Sequence, residues 1–399
     1  MGTQQSHPPP PPTNPFPYLL LLTSSLVACL SLAYLTHSSR PRSSSASSPM
    51  EVVLVGCGLP KKSMGWCHLQ QLLSMPGVRV VAVVEPFLLG TLDAPPASFK
   101  ALQESLSPSV AFAPSLASLP DFSASTLVLI CGRTADNPLL LEAAIDKGAR
   151  CVYLEKPGAP TVAALERMKN ISLSRTVPCR VFLGYNKQVA RYVEEALAFA
   201  ATEPGSTVEF IHHNSYGRGE ELAECFERNA EGLLKNMAIH ELALLVTFFD
   251  VRVDTLFKVE VDRSRTELLT IKGRSDFSSL SFTVTTLAGR SATVTADRCA
   301  GNLSYAVVSS SSGKEAARFS SLTLEEQAEA ARLGREDPEV MPYFHTQGAD
   351  YLALKTRVVD AFRTGGTAGS VATIDVGIEA LKLAEFITRS VTRQLADAE

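Results

Sequence analysis

Five apolar or nearly apolar runs, at residues 51–55, 78–84, 109–112, 125–130 and 151–154, alternate with stretches of helical spacing in the first half of the chain. Runs without polar alternation are the pattern of strands buried on both faces of a parallel sheet. Between the first two, Met64, Trp66, Leu69, Leu72 and Leu73 recur at helical spacing, and residues 97–106 and 138–148 read as further helices, the last capped by Gly148. Repeated βα units of this length predict a doubly wound α/β sheet. In the second half the pattern changes to shorter strand-like runs at 208–212, 254–261, 267–271, 277–286, 291–296 and 304–309, separated by turn residues and mixing Ser and Thr with apolar positions. That suits a meandering antiparallel sheet with one polar face. Residues 236–249 read as one helix, apolar except for a stripe of Asn236, His240, Ala243 and Thr247 that must face something polar. Residues 373–393 read as a long amphipathic helix that packs through Ile374, Ile378, Leu381, Leu383 and Phe386.

The first strand is followed at once by Gly56, Cys57 and Gly58, a turn in which the backbone can approach a ligand where a Cβ would clash. The ligand this implies is a pyrophosphate facing the free N–H groups of the next helix. The dinucleotide fingerprint places its third glycine at position 61; here it is Gly65, after four extra residues that include Lys61 and Lys62. Those lysines either touch phosphate or lie on a solvated loop tip. Glu85 ends the second strand 20 residues after Gly65, where such folds place the acid that binds the adenosine ribose. It would repel a 2′-phosphate, so NAD is expected over NADP. Gly132 and Arg133 follow the 125–130 strand at the carboxyl edge that binds ligands, and the 151–154 strand ends in Glu155-Lys156-Pro157 at the same edge. A lysine there points into the cleft and is a proton donor or acceptor beside the nicotinamide.

With Gly56-Cys57-Gly58, Met64-Gly65 and His68, Glu155-Lys156-Pro157, Gly184-Tyr185-Asn186-Lys187 and Asn236-Met237-Ala238-Ile239-His240 in this order, the chain after Met50 resembles the glucose–fructose oxidoreductase and inositol dehydrogenase (Gfo/Idh/MocA) family. The resemblance implies an N-terminal Rossmann domain over residues 50–184 and a substrate-binding α/β domain over 185–399, with an open, mostly antiparallel sheet that commonly forms a homo-oligomer interface. It implies NAD(P)-dependent hydride transfer to or from a sugar or polyol, catalytic roles for Lys156 and His240, a frequently cis Lys156–Pro157 bond and no metal. The cofactor-binding set is then Gly56, Gly58, Gly65, Glu85, Gly132, Arg133, Glu155 and Lys156. The family's residue one turn before the histidine is usually aspartate; here it is Asn236, which can orient the imidazole but cannot stabilise its cation. That difference motivates the alternative of a nucleotide-binding regulator without turnover. His212, His213, Tyr216 and Arg218 form a loop that either meets substrate hydroxyls or is solvated, and Tyr343, His345 and Gln347 are further candidates.

Composition adds limits. The 399 residues are 45% hydrophobic and 20% charged with a net charge of −4, a soluble globular composition without the basic surplus of a nucleic-acid binder. Eight scattered cysteines without a C-x-x-C pair suggest neither a zinc site nor a disulfide framework. Residues 1–49 stand apart: a proline run, an uncharged apolar segment at 18–35 and a Ser/Arg-rich tail read as a membrane anchor with a cytoplasmic body or as an organelle-targeting segment, and MGTQQS matches the myristoylation pattern on Gly2. A chain started at Met50 is expected to be soluble and cytoplasmic.

Overall fold

The structure, a computed structural model, describes residues 49–397. The anchor or targeting segment at 18–35 and the Gly2 pattern lie outside the described residues, among which no helix is long and apolar enough to cross a membrane.

The first sheet has six parallel strands: β1 (Met50–Val55), β2 (Val78–Val84), β3 (Ala111–Ala113), β4 (Thr126–Ile130), β5 (Cys151–Leu154) and β6 (Arg180–Leu183). Their order, 3-2-1-4-5-6, is that of the dinucleotide-binding fold. Every residue of β4 and β5 is buried, which explains runs without alternation: both faces of these central strands are covered. Val53, Val55, Val128 and Ile130 face one core, Val52, Leu54, Leu127 and Leu129 the other. Helix Met64–Ser74 covers the second face together with Leu354, Val358 and Val359 of the long helix Pro342–Thr364.

The second sheet contains β7 (Thr207–His213), β8 (Leu256–Val261), β9 (Glu267–Ile271), β10 (Arg274–Thr286), β11 (Ser291–Asp297), β12 (Ser304–Ser309) and β13 (Glu315–Ser320), in the order 13-12-7-11-10-8 with β9 on β10. All its pairs are antiparallel except β7 with β11. Leu280, Phe282, Val284, Val294 and Ala296 pack towards helix Ile239–Phe249. The other face carries hydroxyl pairs across β10 and β11, Ser281 with Thr295 at 2.8 Å and Thr283 with Thr293 at 2.9 Å, the polar face expected from the Ser/Thr content. Strand β13 has no counterpart in the sequence reading, because Glu315–Ser320 is polar and largely exposed at a sheet edge.

Helix Ile374–Ala396 buries Ile374, Ile378, Leu381 and Leu383 against helices Val162–Leu173 and Ile239–Phe249, tying the sheets together as structural packing. One helix differs from expectation. The 236–249 segment is two helices, Leu233–Asn236 and Ile239–Phe249, because Ala238 leaves the helical region with ψ near 3° and its N–H turns back to Leu233 O. Asn236 and His240 therefore do not share a helix.

Candidate active site

The glycine turn after β1 is a cradle shaped by what it excludes. Gly56 and Gly58 hold φ of +82° and +66°. A Cβ on Gly65 would lie 1.9 Å from Gly56 O, so only glycine lets helix Met64–Ser74 sit this close to the turn. The four extra residues fold on themselves: Leu59 N–H donates to Ser63 Oγ at 2.9 Å, and Ser63 does not cap the helix with its side chain. The first helical N–H groups are thus left without that cap. Lys61 turns away from the turn to Asp337, 2.8 Å, and Glu339, 3.4 Å, a surface pair. Glu85 is buried at the end of β2, where its Oε2 accepts from Gly58 N at 2.6 Å, so the extra residues do not move the acid from the cradle. Across the cleft Arg133 lies over the Phe87 ring at 5.3 Å, after Gly132, whose missing side chain accommodates Leu140.

At the end of β5, Lys156 follows Glu155 and precedes a cis peptide bond to Pro157, as the resemblance implied. Glu155 is buried and its Oε1 accepts from His68 Nε2 at 3.0 Å and Tyr153 Oη at 2.9 Å. Lys156 Nζ crosses to the second half of the chain and donates to Asn236 O at 2.7 Å. Burial lowers the Lys156 pKa, and the Glu155 charge opposes that shift. The carbonyl it meets is fixed from behind: Asp276 Oδ1 accepts from Leu233 N at 3.0 Å, and Arg298, 1% exposed, holds the other oxygen at 2.7 Å.

His240 is buried in the first turn of its helix, with its ring edge-on to Tyr185 at 5.9 Å. Burial, then the charges of Lys156 and Lys187, keep the imidazole neutral far below its ordinary range. The Asn236 amide does not orient it. That side chain donates to Asn229 Oδ1 at 2.8 Å, a consequence of the break between the two helices, and Asn236 meets the site through its carbonyl instead. His240 Nδ1, Tyr185 Oη and Asn186 Oδ1 are buried without a hydrogen-bond partner.

Beneath His240 lies a buried ion cluster that joins Lys187 of the Gly184-Tyr185-Asn186-Lys187 motif and the loop candidate His212 to Glu241. Lys187 Nζ bonds Glu241 Oε1 at 2.5 Å and Ser304 Oγ at 2.9 Å, and His212 Nδ1 is 3.2 Å from Glu241 Oε2. Burial alone would raise the Glu241 carboxyl, but Lys187 and His212 hold it well below the carboxylate range. The signal was present in Gly184-Tyr185-Asn186-Lys187; its partner Glu241, next to His240, was hidden in an apolar helix. The expected polar partner of the stripe is Gln188, whose amide donates to Ala243 O and Thr247 Oγ1.

A small cleft opens beside the cluster, lined by Asn186, Lys187, His213, Ser304, Gln347 and Asp350 among others. The loop candidates divide. His212 joins the cluster and His213 the cleft, Tyr216 packs beside Leu222 and Phe226, and Arg218 pairs with Glu267 at the surface. Gln347 lines the cleft and accepts from Asn186 at 3.3 Å, whereas Tyr343 packs on Phe344 beside Trp66 and His345 is half-buried outside the cleft.

The buried histidines set an acid limit. His68 is pushed down to about 4 by burial and by Lys355, from an ordinary value near 6.5. A base whose folded pKa lies below its unfolded one gives stability that is present above the unfolded value and is lost as pH falls through the folded one. On acidification from pH 6.5 to 4 the fold should lose on the order of 3 kcal/mol through His68 alone. Urea midpoints at pH 7 and 4.5 measure this; equal midpoints would contradict the buried neutral ring.

No protein-family model and no curated protein matches the chain. Solved structures do. Myo-inositol dehydrogenase from Corynebacterium glutamicum superposes with a TM-score of 0.62 at 16% identity, covering 86% of this chain and 96% of that one. The described body has the inositol dehydrogenase fold. A myo-inositol dehydrogenase from Lactobacillus casei, solved with NAD(H) and myo-inositol, gives 0.62 at 15% identity over 86% and 95%. An oxidoreductase from Desulfitobacterium hafniense, named as NADPH-dependent by proposal, gives 0.63 at 12% over 87% and 96%. At these identities the likeness is one of fold.

Proposed function

We propose that the chain is an NAD-dependent oxidoreductase that moves a hydride between nicotinamide and a secondary alcohol of a sugar, polyol or related compound. Residues 50–184 would hold the cofactor and 185–399 the substrate. The observation that carries this reading is Lys156: a half-buried amine at the carboxyl edge of a dinucleotide-type sheet, held by a carbonyl of the other half of the chain. The residues fit the cofactor, since Gly56, Gly58 and Gly65 leave the space a Cβ would fill and Glu85 is fixed at the turn by Gly58 N. Gly132, Arg133 and Glu155 complete the edge. When bound, the nicotinamide supplies the hydride acceptor. Lys156 takes the hydroxyl proton, because burial brings its pKa down towards the working pH, where a general base is most effective. Burial and the neighbouring lysines keep His240 neutral, so it serves as a hydrogen-bonding group for a substrate hydroxyl. The unpartnered Tyr185 Oη, Asn186 Oδ1 and His240 Nδ1 suit a ligand bearing several hydroxyls, since each buried polar atom left unpaired costs about 1–3 kcal/mol.

The purified protein should reduce NAD with at least one polyol in a screen of sugars and polyols; binding of NAD without turnover on any of them would favour the regulator. Glu85 should make NAD bind at least about tenfold tighter than NADP, a difference of about 1.4 kcal/mol, because its carboxylate would face the ribose and repel a 2′-phosphate. Fluorescence titration decides it, and NADP binding tenfold tighter would remove Glu85 from its role. By the same reading the chain assembles as a homo-oligomer through the hydroxyl-bearing face of its second sheet, which light scattering reads as subunit number.

A further inference from the structure

Helix Pro342–Thr364 carries one residue that its packing role does not explain. Lys355 is 1% exposed, in a position facing the apolar core between Leu354 and Val358. Its Nζ lies 2.7 Å from His68 Nδ1. His68 is fully buried, boxed edge-on by Tyr153 at 5.5 Å and Tyr351 at 5.4 Å, and its Nε2 is 3.0 Å from Glu155 Oε1. An unbroken line of hydrogen bonds thus runs from helix Pro342–Thr364 to the residue preceding Lys156.

The chemistry of the contacts assigns the protons. An ammonium has three donors and no acceptor, so Nδ1 of His68 must accept; the ring proton is then on Nε2 and is donated to Glu155. Glu155 Oε1 receives that bond and one from Tyr153, which favours the ionised carboxylate. The line reads cation, neutral ring, anion. With the other tautomer, a lone pair of Nε2 would face the carboxylate oxygen and push it away. Other ionisable groups around the line add no charge near neutral pH, since burial keeps Cys67, Cys131, Tyr153, Tyr185 and Tyr351 protonated; Lys156 faces Glu155 from the cleft side.

We propose that Lys355 is a positioning residue: through His68 it fixes the charge and orientation of Glu155, and so the strand end that presents Lys156. The part of this concerning Lys156 rests on the proton-transfer reading above. Burial lowers Lys355 itself to about 8, so it is charged at neutral pH and the line is intact there.

The test is nitrogen NMR of histidine-labelled protein, with His68 assigned by His68→Gln. In wild type His68 should show the neutral Nε2–H tautomer from pH 7.5 to about 4.5, values bracketed by its own and the Lys355 pKa. In Lys355→Met the ring loses its donor and its repelling charge, so it should titrate at higher pH or populate the Nδ1–H form. Lys355→Gln, which keeps a donor without the charge, should retain the tautomer and guards against a loss of fold in the methionine variant. In kinetics, Lys355→Met should lower kcat about tenfold, the scale of an outer-shell partner, with KM for NAD within about twofold, and Lys355→Gln should recover most of it. A wild-type ring protonated on Nδ1, or a His68 spectrum unchanged in Lys355→Met, would overturn the proposal. If wild type turns over no polyol, the Lys156 reading falls, while the histidine spectrum still answers for Lys355.

Discussion

Lys156→Met should lower kcat by about 10² or more and leave NAD affinity nearly intact, the usual scale for losing a general acid or base. The methionine keeps the length and apolar body of the side chain, so the loss reports the proton-transferring nitrogen. Two further replacements locate the effect. His240→Ala should also reduce turnover, chiefly through substrate KM if the imidazole only holds a hydroxyl. Asn236→Asp should alter the pH profile little by way of His240, because the side chain at 236 points to Asn229 and not to the imidazole. Steady-state kinetics across pH with isothermal titration of NAD separate these outcomes. Turnover that survives Lys156→Met undiminished would end the proposed proton transfer and leave the cradle and the fold untouched.

Lys187→Met should be the most destabilising single change in the site, by about 3–5 kcal/mol, the cost of leaving one member of a buried ion pair without its partner. Glu241 is fully buried and its two oxygens face Lys187 and His212, so removal of the ammonium leaves a carboxylate that can only protonate or draw a proton to His212. Against a typical total of about 5–15 kcal/mol, this is a large fraction of the stability of the body. Replacing both partners, Lys187→Met with Glu241→Gln, should recover much of the loss, because no charge is then stranded. Urea unfolding at pH 7 reads both; a loss under about 1 kcal/mol in the single variant would show that the pair is not the buried charge cluster described.

The cluster also bears on function. It lies directly under His240, with the His212 and His240 rings 6.3 Å apart, and the Lys187 charge is among the causes that keep His240 neutral. Weakening it should therefore change how the site holds a hydroxyl as well as how firmly the second half folds.

What the sequence by itself determined are the features written in neighbouring residues. Strands covered on both faces must be apolar throughout, so β1, β2, β4 and β5 were legible, and with them the doubly wound sheet whose carboxyl edge carries Gly56, Glu85, Gly132 and Lys156. Gly65 was legible despite the longer loop, because the helix must approach the turn where a Cβ has no room. Tertiary structure decided the partners. Lys156 meets a carbonyl 80 residues on, Lys187 a carboxylate 54 residues on, and His68 a lysine 287 residues on. None of these distances leaves a period in the chain, since a hydrogen bond between elements depends on how helices dock and not on local spacing. The same reason governs the one helix read wrongly: the Asn236–His240 spacing is that of a single turn, but the backbone breaks at Ala238, where the short helix is anchored from the other sheet by Asp276, and that anchor decides which group of Asn236 reaches the site.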